Sequence, residues 1–145
     1  MNFPDNFVSA TLGRTSFEKH VPAPLFRLNF PVETVEKEEM KAEIIVTGLG
    51  FYRLWINGQD ITKGYLAPYI SNPDDFVYFD KYNLKPYIQE GENVVGLMLG
   101  NGFQNNIDTV WDFDEAKHNA APMMALHLQV GNKMYTAEDF VWAPS

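Results

Sequence analysis

Asp112 and Asp114 are the residues whose type and spacing are best suited to chemistry, and they follow Trp111 directly. Hydrolysis by a carboxylate pair requires two groups that face each other across the reacting bond. Side chains two positions apart in an extended segment instead point to the same side, where paired oxygens suit a calcium ion. The sequence therefore predicts carboxylates that stabilise a loop or, alternatively, a calcium site at Asp112 and Asp114.

A glycine-rich run at residues 99–103 (LGNGF) is the second candidate. It lacks the lysine and the serine or threonine of a phosphate-binding loop. It predicts either a tight turn with positive φ or a loop in which Asn101, Gly102 and Phe103 contact a ligand or a partner domain. Trp111 lies in a long irregular stretch, where an aromatic ring can pack locally, stack on a sugar or dock another domain.

Other metal and nucleophile chemistry finds little support in the sequence. The three histidines, His20, His118 and His127, are not at a metal-ligand spacing, and the sequence contains no cysteine. Zinc sites need such spaced nitrogen or sulfur ligands, and thiol catalysis needs a cysteine. The sequence also lacks the Gly-x-Ser-x-Gly motif of a serine hydrolase.

Length and composition predict one domain with a substantial core. The chain has 145 residues, of which 46% are hydrophobic and 14% aromatic, as expected for a single folded domain. Its net charge of −8 disfavours nucleic acid and anionic membranes as partners. The first residues lack the features of a signal peptide, so we expect a cytoplasmic protein, with a secreted parent left open.

The surrounding elements are short strands. Residues 26–32 alternate between apolar and polar side chains, and residues 51–56 predict a central strand covered on both faces. Asn57 and Gly58 then predict a two-residue hairpin, because both tolerate positive φ. Further strands are predicted at 41–47, 59–65, 76–84, 93–99, 122–130, 133–136 and 140–142. Without a convincing helical period, this spacing predicts an all-β, jelly-roll-like antiparallel β-sandwich.

Four segments, in this order, resemble the N-terminal domain of bacterial α-L-rhamnosidases. They are TGLGFYRLWINGQDI, LAPYISNPDDFVYFDKYNL, EGENVVGLMLGNGF and WDFDEAKHNAAPMMALHLQV, and the resemblance runs from about residue 24 to residue 142. Two positions depart from the family pattern. Many relatives have tryptophan where this chain has Tyr69-Ile70, and Trp-Arg where it has Lys117-His118.

The resemblance implies a β-sandwich whose catalytic partner is a separate (α/α)-barrel of the same parent chain. Residues 1–24 are then an irregular lead-in, and residues 25–145 are a non-catalytic accessory domain cut from a larger rhamnosidase. The alternative is a carbohydrate-binding module for rhamnose-containing glycans, in some relatives with calcium. Asn57 and Tyr69 are predicted to line the same edge as the candidates in the 101–114 region.

Overall fold

The computed structural model describes residues 2–13, 15, 18–33, 40–73, 75–102 and 120–144. Within these residues nine strands form two antiparallel sheets, one with the order β4-β3-β6-β1-β9 and the other β5-β2-β7-β8. This confirms the predicted antiparallel sandwich. The strands are β1 Pro24–Val32, β2 Ala42–Leu49, β3 Phe51–Ile56, β4 Gln59–Asp60, β5 Asp80–Asn83, β6 Gly91–Gly100, β7 Met123–Val130, β8 Lys133–Thr136 and β9 Val141–Pro144.

The core fills the space between the sheets and follows from the alternation in the sequence. Every second residue of β1 is buried, and the residues between them are exposed. Full burial of an apolar side chain between the size of valine and that of phenylalanine stabilises the folded state by about 1.5–3 kcal/mol. The most deeply buried side chains include Phe30, Ile44, Val46, Leu54, Ile56, Leu97, Leu99, Met124, Leu126 and Leu128.

The hairpin turn predicted at Asn57-Gly58 is confirmed. Asn57 and Gly58 have φ values of 51° and 81°, which is the backbone that a two-residue turn between β3 and β4 requires. A second turn, at Gly131-Asn132, connects β7 to β8, and there only Gly131, with φ of 57°, has positive φ. Asparagine and glycine occupy these positions because other residues adopt positive φ only with strain.

Strand β3 has the predicted bounds, but the expectation that both its faces are covered was wrong. Tyr52, Leu54 and Ile56 are buried, whereas Trp55 is half-buried on the outer face of the sheet. There the guanidinium carbon of Arg53 lies 5.9 Å from the centre of the Trp55 ring. Neighbouring side chains of a strand point to opposite faces of the sheet. The apolar residues of β3 therefore lie on both faces, but only one of these faces is in the core.

Two further predicted strands are much shorter than expected. The partner of β3 ends at Asp60, and β5 begins only at Asp80. The chain leaves the sheet where the Asp60 carboxylate accepts hydrogen bonds from the backbone and hydroxyl of Thr62. Such local bonding favours a turn over a ladder. Residues 61–79 are consequently a long connection between the two sheets.

The residues that precede β1 lie against the four-stranded sheet. Val8 exchanges two backbone hydrogen bonds with Met124, at 2.8 and 2.9 Å, and so extends the edge of the sheet beside β7. The Asn2 carbonyl lies 3.0 Å from Nδ1 of His127. On the outer face of this sheet Ile45, Thr47 and Ala125 are buried although they point away from the core between the sheets.

The described residues contain no helix long and apolar enough to cross a membrane.

Candidate functional site

The connection between β4 and β5 carries a group of exposed apolar side chains, which we call the aromatic patch. Its members have between 45% and 93% of their surface exposed. They are Tyr65, Leu66, Tyr69, Ile70, Phe76 and Tyr78. Single exposed apolar residues are normal on a protein surface, whereas a contiguous group marks a site of interaction.

The aromatic patch is held together by its own ring contacts. Tyr78 lies edge-on to Phe76 at 5.3 Å and to Tyr69 at 6.3 Å between ring centres. The patch is fixed to the sandwich through Ala67, which is buried and accepts a hydrogen bond of 2.7 Å from the backbone N–H of Tyr52. Thr47 also donates to the carbonyl of Tyr78 at 2.7 Å. The aromatic side chains are thus presented to solvent from an anchored backbone.

A polar cluster lies beside the patch, where β3 of one sheet faces β5 of the other. The Tyr52 hydroxyl donates to Oδ2 of Asp80 at 2.6 Å. Because its proton is committed there, the Tyr82 hydroxyl donates to Tyr52 across 3.0 Å and accepts from the backbone N–H of Lys63 at 3.1 Å. Nζ of Lys63 lies 4.9 Å from the centre of the Tyr82 ring.

Both tyrosines of this cluster remain protonated donors. Burial, together with the hydrogen bonds to Asp80 and Tyr82, raises the pKa of the Tyr52 hydroxyl above its ordinary value. Burial likewise raises the pKa of Tyr82. Charging a phenol is disfavoured in a low-dielectric site, so the only charges of the cluster are those of Asp80 and Lys63.

Gly102 has a steric role that was not predicted. A Cβ at this position would lie 2.8 Å from the Cα of Gly50, closer than real Cβ atoms approach. Neither Gly100 nor Gly102 has positive φ, whereas Gly50 does, at 127°. In the described part of this run, residues 99–102, the prediction of a positive-φ turn was therefore wrong. The glycines of the first and third family-like segments instead let two backbones meet.

Asn57 is committed to interactions within the domain. Its amide donates to the Tyr87 carbonyl at 3.0 Å and to Oδ1 of Asn93 at 2.8 Å, and its Oδ1 accepts from the Val94 N–H at 2.9 Å. Asn93 is fully buried, and it also bonds the Gln89 backbone. These bonds use the hydrogen-bonding groups of the Asn57 amide, and they fasten the β3–β4 turn to β6.

Of the predicted site residues, the described part of the chain brings together only Tyr69 and Gly102, which line one depression beneath the aromatic patch. Tyr69 belongs to the aromatic patch, and Asn101 lines a separate pocket of about 200 Å³ with His20 and Pro122. Phe103, Trp111, Asp112 and Asp114 lie outside the described residues, so the calcium site stays a prediction. In the part of the chain that the structure describes, no three His, Cys, Asp or Glu side chains cluster as metal ligands.

Sequence reasoning missed the polar cluster and most of the aromatic patch. Lys63, Asp80 and Tyr82 are separated by up to 19 positions, and only the pairing of β5 beside β2 brings them opposite Tyr52. The patch did leave a signal, because residues 65–79 contain five aromatic side chains. Tyr65 was attributed to the predicted strand 59–65, and the aromatic residues from Phe76 onward to the predicted strand 76–84, where alternation would have buried about half of them.

The sheet order and the anchored patch define an antiparallel β-sandwich domain with an exposed aromatic surface on one inter-sheet connection. The α-L-rhamnosidase N-terminal domain family matches residues 37–142. The match covers most of the chain, and the chain belongs to this family.

Similar proteins are α-L-rhamnosidases of much greater length. One from Formosa agariphila is 36% identical over 69 residues, which are 48% of this chain and 7% of the relative. One from Alteromonas sp. is 26% identical over 98 residues, which are 67% of this chain and 10% of the relative. The matched region is thus a small part of each relative.

Solved structures show the same fold. The α-L-rhamnosidase of Streptomyces avermitilis, complexed with L-rhamnose, superposes with a TM-score of 0.70 at 21% identity, over 86% of this chain and 12% of that chain. The enzyme of Dictyoglomus thermophilum gives a TM-score of 0.66 at 23% identity, over 86% of this chain and 13% of that chain. At these identities the likeness establishes the sandwich and no ligand.

Proposed function

We propose that this domain is a non-catalytic accessory domain of an α-L-rhamnosidase and that it packs against the catalytic (α/α)-barrel of the parent chain through the aromatic patch. The observation that carries the proposal is the exposure of the patch on an anchored backbone. Ile70 and Phe76 have 60% and 54% of their surface exposed. Such side chains contribute favourable free energy only when another surface removes them from water.

The chemistry of the patch supports docking to another domain. Interface centres are enriched in aromatic residues and depleted of charge, and the patch as defined contains three tyrosines, a phenylalanine and two aliphatic side chains. Each tyrosine also offers a hydroxyl to the partner. Contacts between domains of one chain are of the size and polarity that such a surface can supply.

A non-catalytic role agrees with the groups available in the described residues. The Asp80 carboxylate of the polar cluster is paired with Tyr52 and Lys63, whereas glycoside hydrolysis needs a second carboxylate across the bond. The catalytic barrel implied by the family is helical, and the only helix of the described residues is the three-residue Ala137–Asp139. Hydrolysis of terminal rhamnose is then the activity of the parent chain.

The test is binding between this chain and the rest of its parent, produced separately. We expect a complex by analytical ultracentrifugation, and no hydrolysis of p-nitrophenyl α-L-rhamnoside by this chain alone. Ile70→Asp combined with Phe76→Ser should weaken the complex by at least about tenfold, since buried interface anchors contribute 2 kcal/mol or more.

Leu12→Ser is the matched control, because Leu12 is 96% exposed and lies outside the patch. Equal weakening by the control and the patch variant, or rhamnoside hydrolysis by this chain that survives further purification, would overturn the proposal.

A further inference from the structure

The outer face of the five-stranded sheet has a gap at Gly96. Along β6 the side chains of Val94 and Met98 point outward on either side of Gly96. In the register of the sheet Gly96 lies between Trp55 of β3 and Arg27 of β1. Because neighbouring strands are about 4.8 Å apart, Trp55 and Arg27 leave the sheet about 10 Å from each other, with no side chain between them.

Four side chains surround this gap, which we call the Gly96 socket. Val94, Met98 and Trp55 form three apolar walls, and Arg27 forms the fourth with a guanidinium. The backbone of Gly96 is the floor. The socket therefore has the width of one large side chain that enters from outside the domain.

The domain itself gives no reason for glycine at position 96. Its φ is not positive, and an added Cβ would meet only the Cβ of Trp55, at 3.9 Å. Glycine weakens the interior of a strand, and it often marks a place where a ligand or another backbone approaches closely. Gly102 is required by Gly50 of the same domain, whereas at Gly96 the approaching group belongs to a partner.

Arg27 brings a charge to the socket that the described residues do not neutralise. Its Nε donates to Oδ1 of Asn29 at 3.0 Å, which leaves the two Nη groups of the guanidinium. The ion pairs of the described residues join other basic side chains to Glu43, Asp60 and Asp80, and none of them includes Arg27. A guanidinium matches a carboxylate with two parallel hydrogen bonds, so an acidic group of a partner would complete this contact.

Trp55, at the opposite wall, is held before any partner arrives. The guanidinium carbon of Arg53 lies 5.9 Å from the centre of the Trp55 ring, and Arg53 is in turn paired with the Asp60 carboxylate. Side chains that are held in this way lose less conformational freedom on binding. Tryptophan and arginine dominate the energetics of interfaces, and both stack on aromatic rings, so an aromatic side chain is favoured as the group that enters.

The charges of this face disfavour a second copy of the chain as the occupant. Two copies related by a twofold axis would present the same side chains to each other. Asp60, the carboxylate in the same cross-strand row as the socket, is already paired with Arg53, so Arg27 would find no acidic group there. The net charge of −8 also opposes self-association.

We propose that the Gly96 socket is a second docking surface for the rest of the parent chain, and that it receives an aromatic side chain with a neighbouring carboxylate. The ring lies on the backbone of Gly96 between Trp55 and Arg27, and the carboxylate pairs with Arg27. The socket is small, but a weak contact becomes effective when both partners belong to one chain. Only the identity of the partner chain rests on the proposed function; the position and the acidic chemistry differ from those of the aromatic patch.

The test is the complex between this chain and the rest of its parent, measured by analytical ultracentrifugation for two variants of the socket. Gly96→Leu fills the socket and Arg27→Glu reverses its charge. Each should weaken the complex at least about tenfold, because a few central contacts carry most of the binding free energy. Lys133→Glu is the matched control, since it changes the net charge equally but is exposed on β8 of the other sheet. Screening by salt should leave the affinity of this control nearly unchanged.

A carbodiimide cross-link, which joins an amine directly to a carboxylate, identifies the acidic group. Arg27→Lys places an amine at the socket, and we expect a cross-link to an aspartate or glutamate beside a phenylalanine, tyrosine or tryptophan in the rest of the parent. Mass spectrometry of the cross-linked peptides locates it. Leu12→Lys, at a position that is 96% exposed and outside both surfaces, gives the background.

Unchanged affinity of Gly96→Leu, equal weakening by Arg27→Glu and Lys133→Glu, no cross-link above background, or a dimer of this chain alone would each overturn the proposal. Arg27→Glu, at an exposed position, decides the question even if Gly96→Leu fails to fold. Weakening by the patch variant alone would retain the proposed function and reject the socket, and weakening by the socket variants alone would do the reverse. The absence of any complex would reject both.

Discussion

The two long segments outside the strands, residues 2–13 and residues 61–79, differ in how far their apolar side chains are buried within the domain. The first lies on the four-stranded sheet, where Val8 pairs with Met124 and Ala10 joins the core cluster. The second is anchored at Ala67 but leaves Tyr69, Ile70 and Phe76 in solvent. Both have an irregular backbone. The first packs Val8 and Ala10 against the core and leaves Phe3 and Leu12 exposed, whereas the second leaves most of its large apolar side chains in solvent.

Because of this difference, we expect the first segment to contribute mainly to the stability of the domain and the second mainly to binding a partner. Apolar area that is buried inside the domain contributes to the free energy of unfolding, whereas the same area left exposed contributes nothing until a partner covers it. Changes in residues 2–13 should therefore lower the free energy of unfolding, and substitutions in the aromatic patch should leave it nearly unchanged.

Deletion of residues 2–10 should have the largest effect. It removes the two hydrogen bonds between Val8 and Met124, the contact of the Asn2 carbonyl with His127 and the buried contacts of Ala10. Hydrogen bonds contribute about 1 kcal/mol each, and buried apolar groups add to that, so we expect a loss of at least about 3 kcal/mol. Urea unfolding followed by tryptophan fluorescence measures it. An unchanged midpoint would show that the segment lies on the sheet without stabilising it.

Gly102→Ala should have the next largest effect, because the new methyl group would lie 2.8 Å from the Cα of Gly50. Overpacking of this kind costs about 1–3 kcal/mol. The junction also lies beneath the patch, in a depression shared with Pro68 and Tyr69.

Gly96→Ala is the control for that substitution, since its Cβ would meet only the Cβ of Trp55, at 3.9 Å. Alanine should be tolerated there in thermal unfolding. If both substitutions had the same effect, the close approach of Gly50 and Gly102 would not be the reason for the glycine.

Features that depend on neighbouring residues could be predicted from the sequence, and features that depend on contacts between distant segments could not. The alternation of Phe26, Leu28 and Phe30 and the turn at Asn57-Gly58 are properties of neighbouring residues, and both were predicted correctly. The contact of Gly102 with Gly50 and the cluster around Asp80 depend on segments that only the fold brings together. Such long-range contacts have no local pattern, and Asp80 was predicted to be only part of a longer strand.

A small dependence of stability on pH is expected from the uncovered part of the four-stranded sheet. Oε1 of Glu43 lies 2.8 Å from Nζ of Lys81, and its Oε2 lies 3.4 Å from Nζ of Lys41. The hydrogen bond from Lys81 is the main cause that holds the pKa of Glu43 below its ordinary value, against the opposing effect of burial.

Because the pKa of Glu43 is lower in the folded state, its contribution is present above the unfolded pKa of about 4.3 and is lost as the pH falls through the folded value. Partly exposed ion pairs contribute about 0.2–1 kcal/mol. Urea unfolding of Lys81→Met between pH 6 and pH 3 should show a flatter pH dependence than the unmodified chain. An identical slope would assign the pH dependence to other carboxylates.

Phe76→Ser should have the smallest effect on stability, within about 0.5 kcal/mol, as is usual for surface positions. Val8→Ser is its counterpart in the covered segment and should cost about 1 kcal/mol or more, because Val8 packs against the core. Urea unfolding of both variants makes the comparison directly. If Phe76→Ser destabilised the domain as much as Val8→Ser, the Phe76 ring would be packed internally. A small loss, joined to a weaker complex with the rest of the parent chain, would mean that the ring is held exposed for that partner.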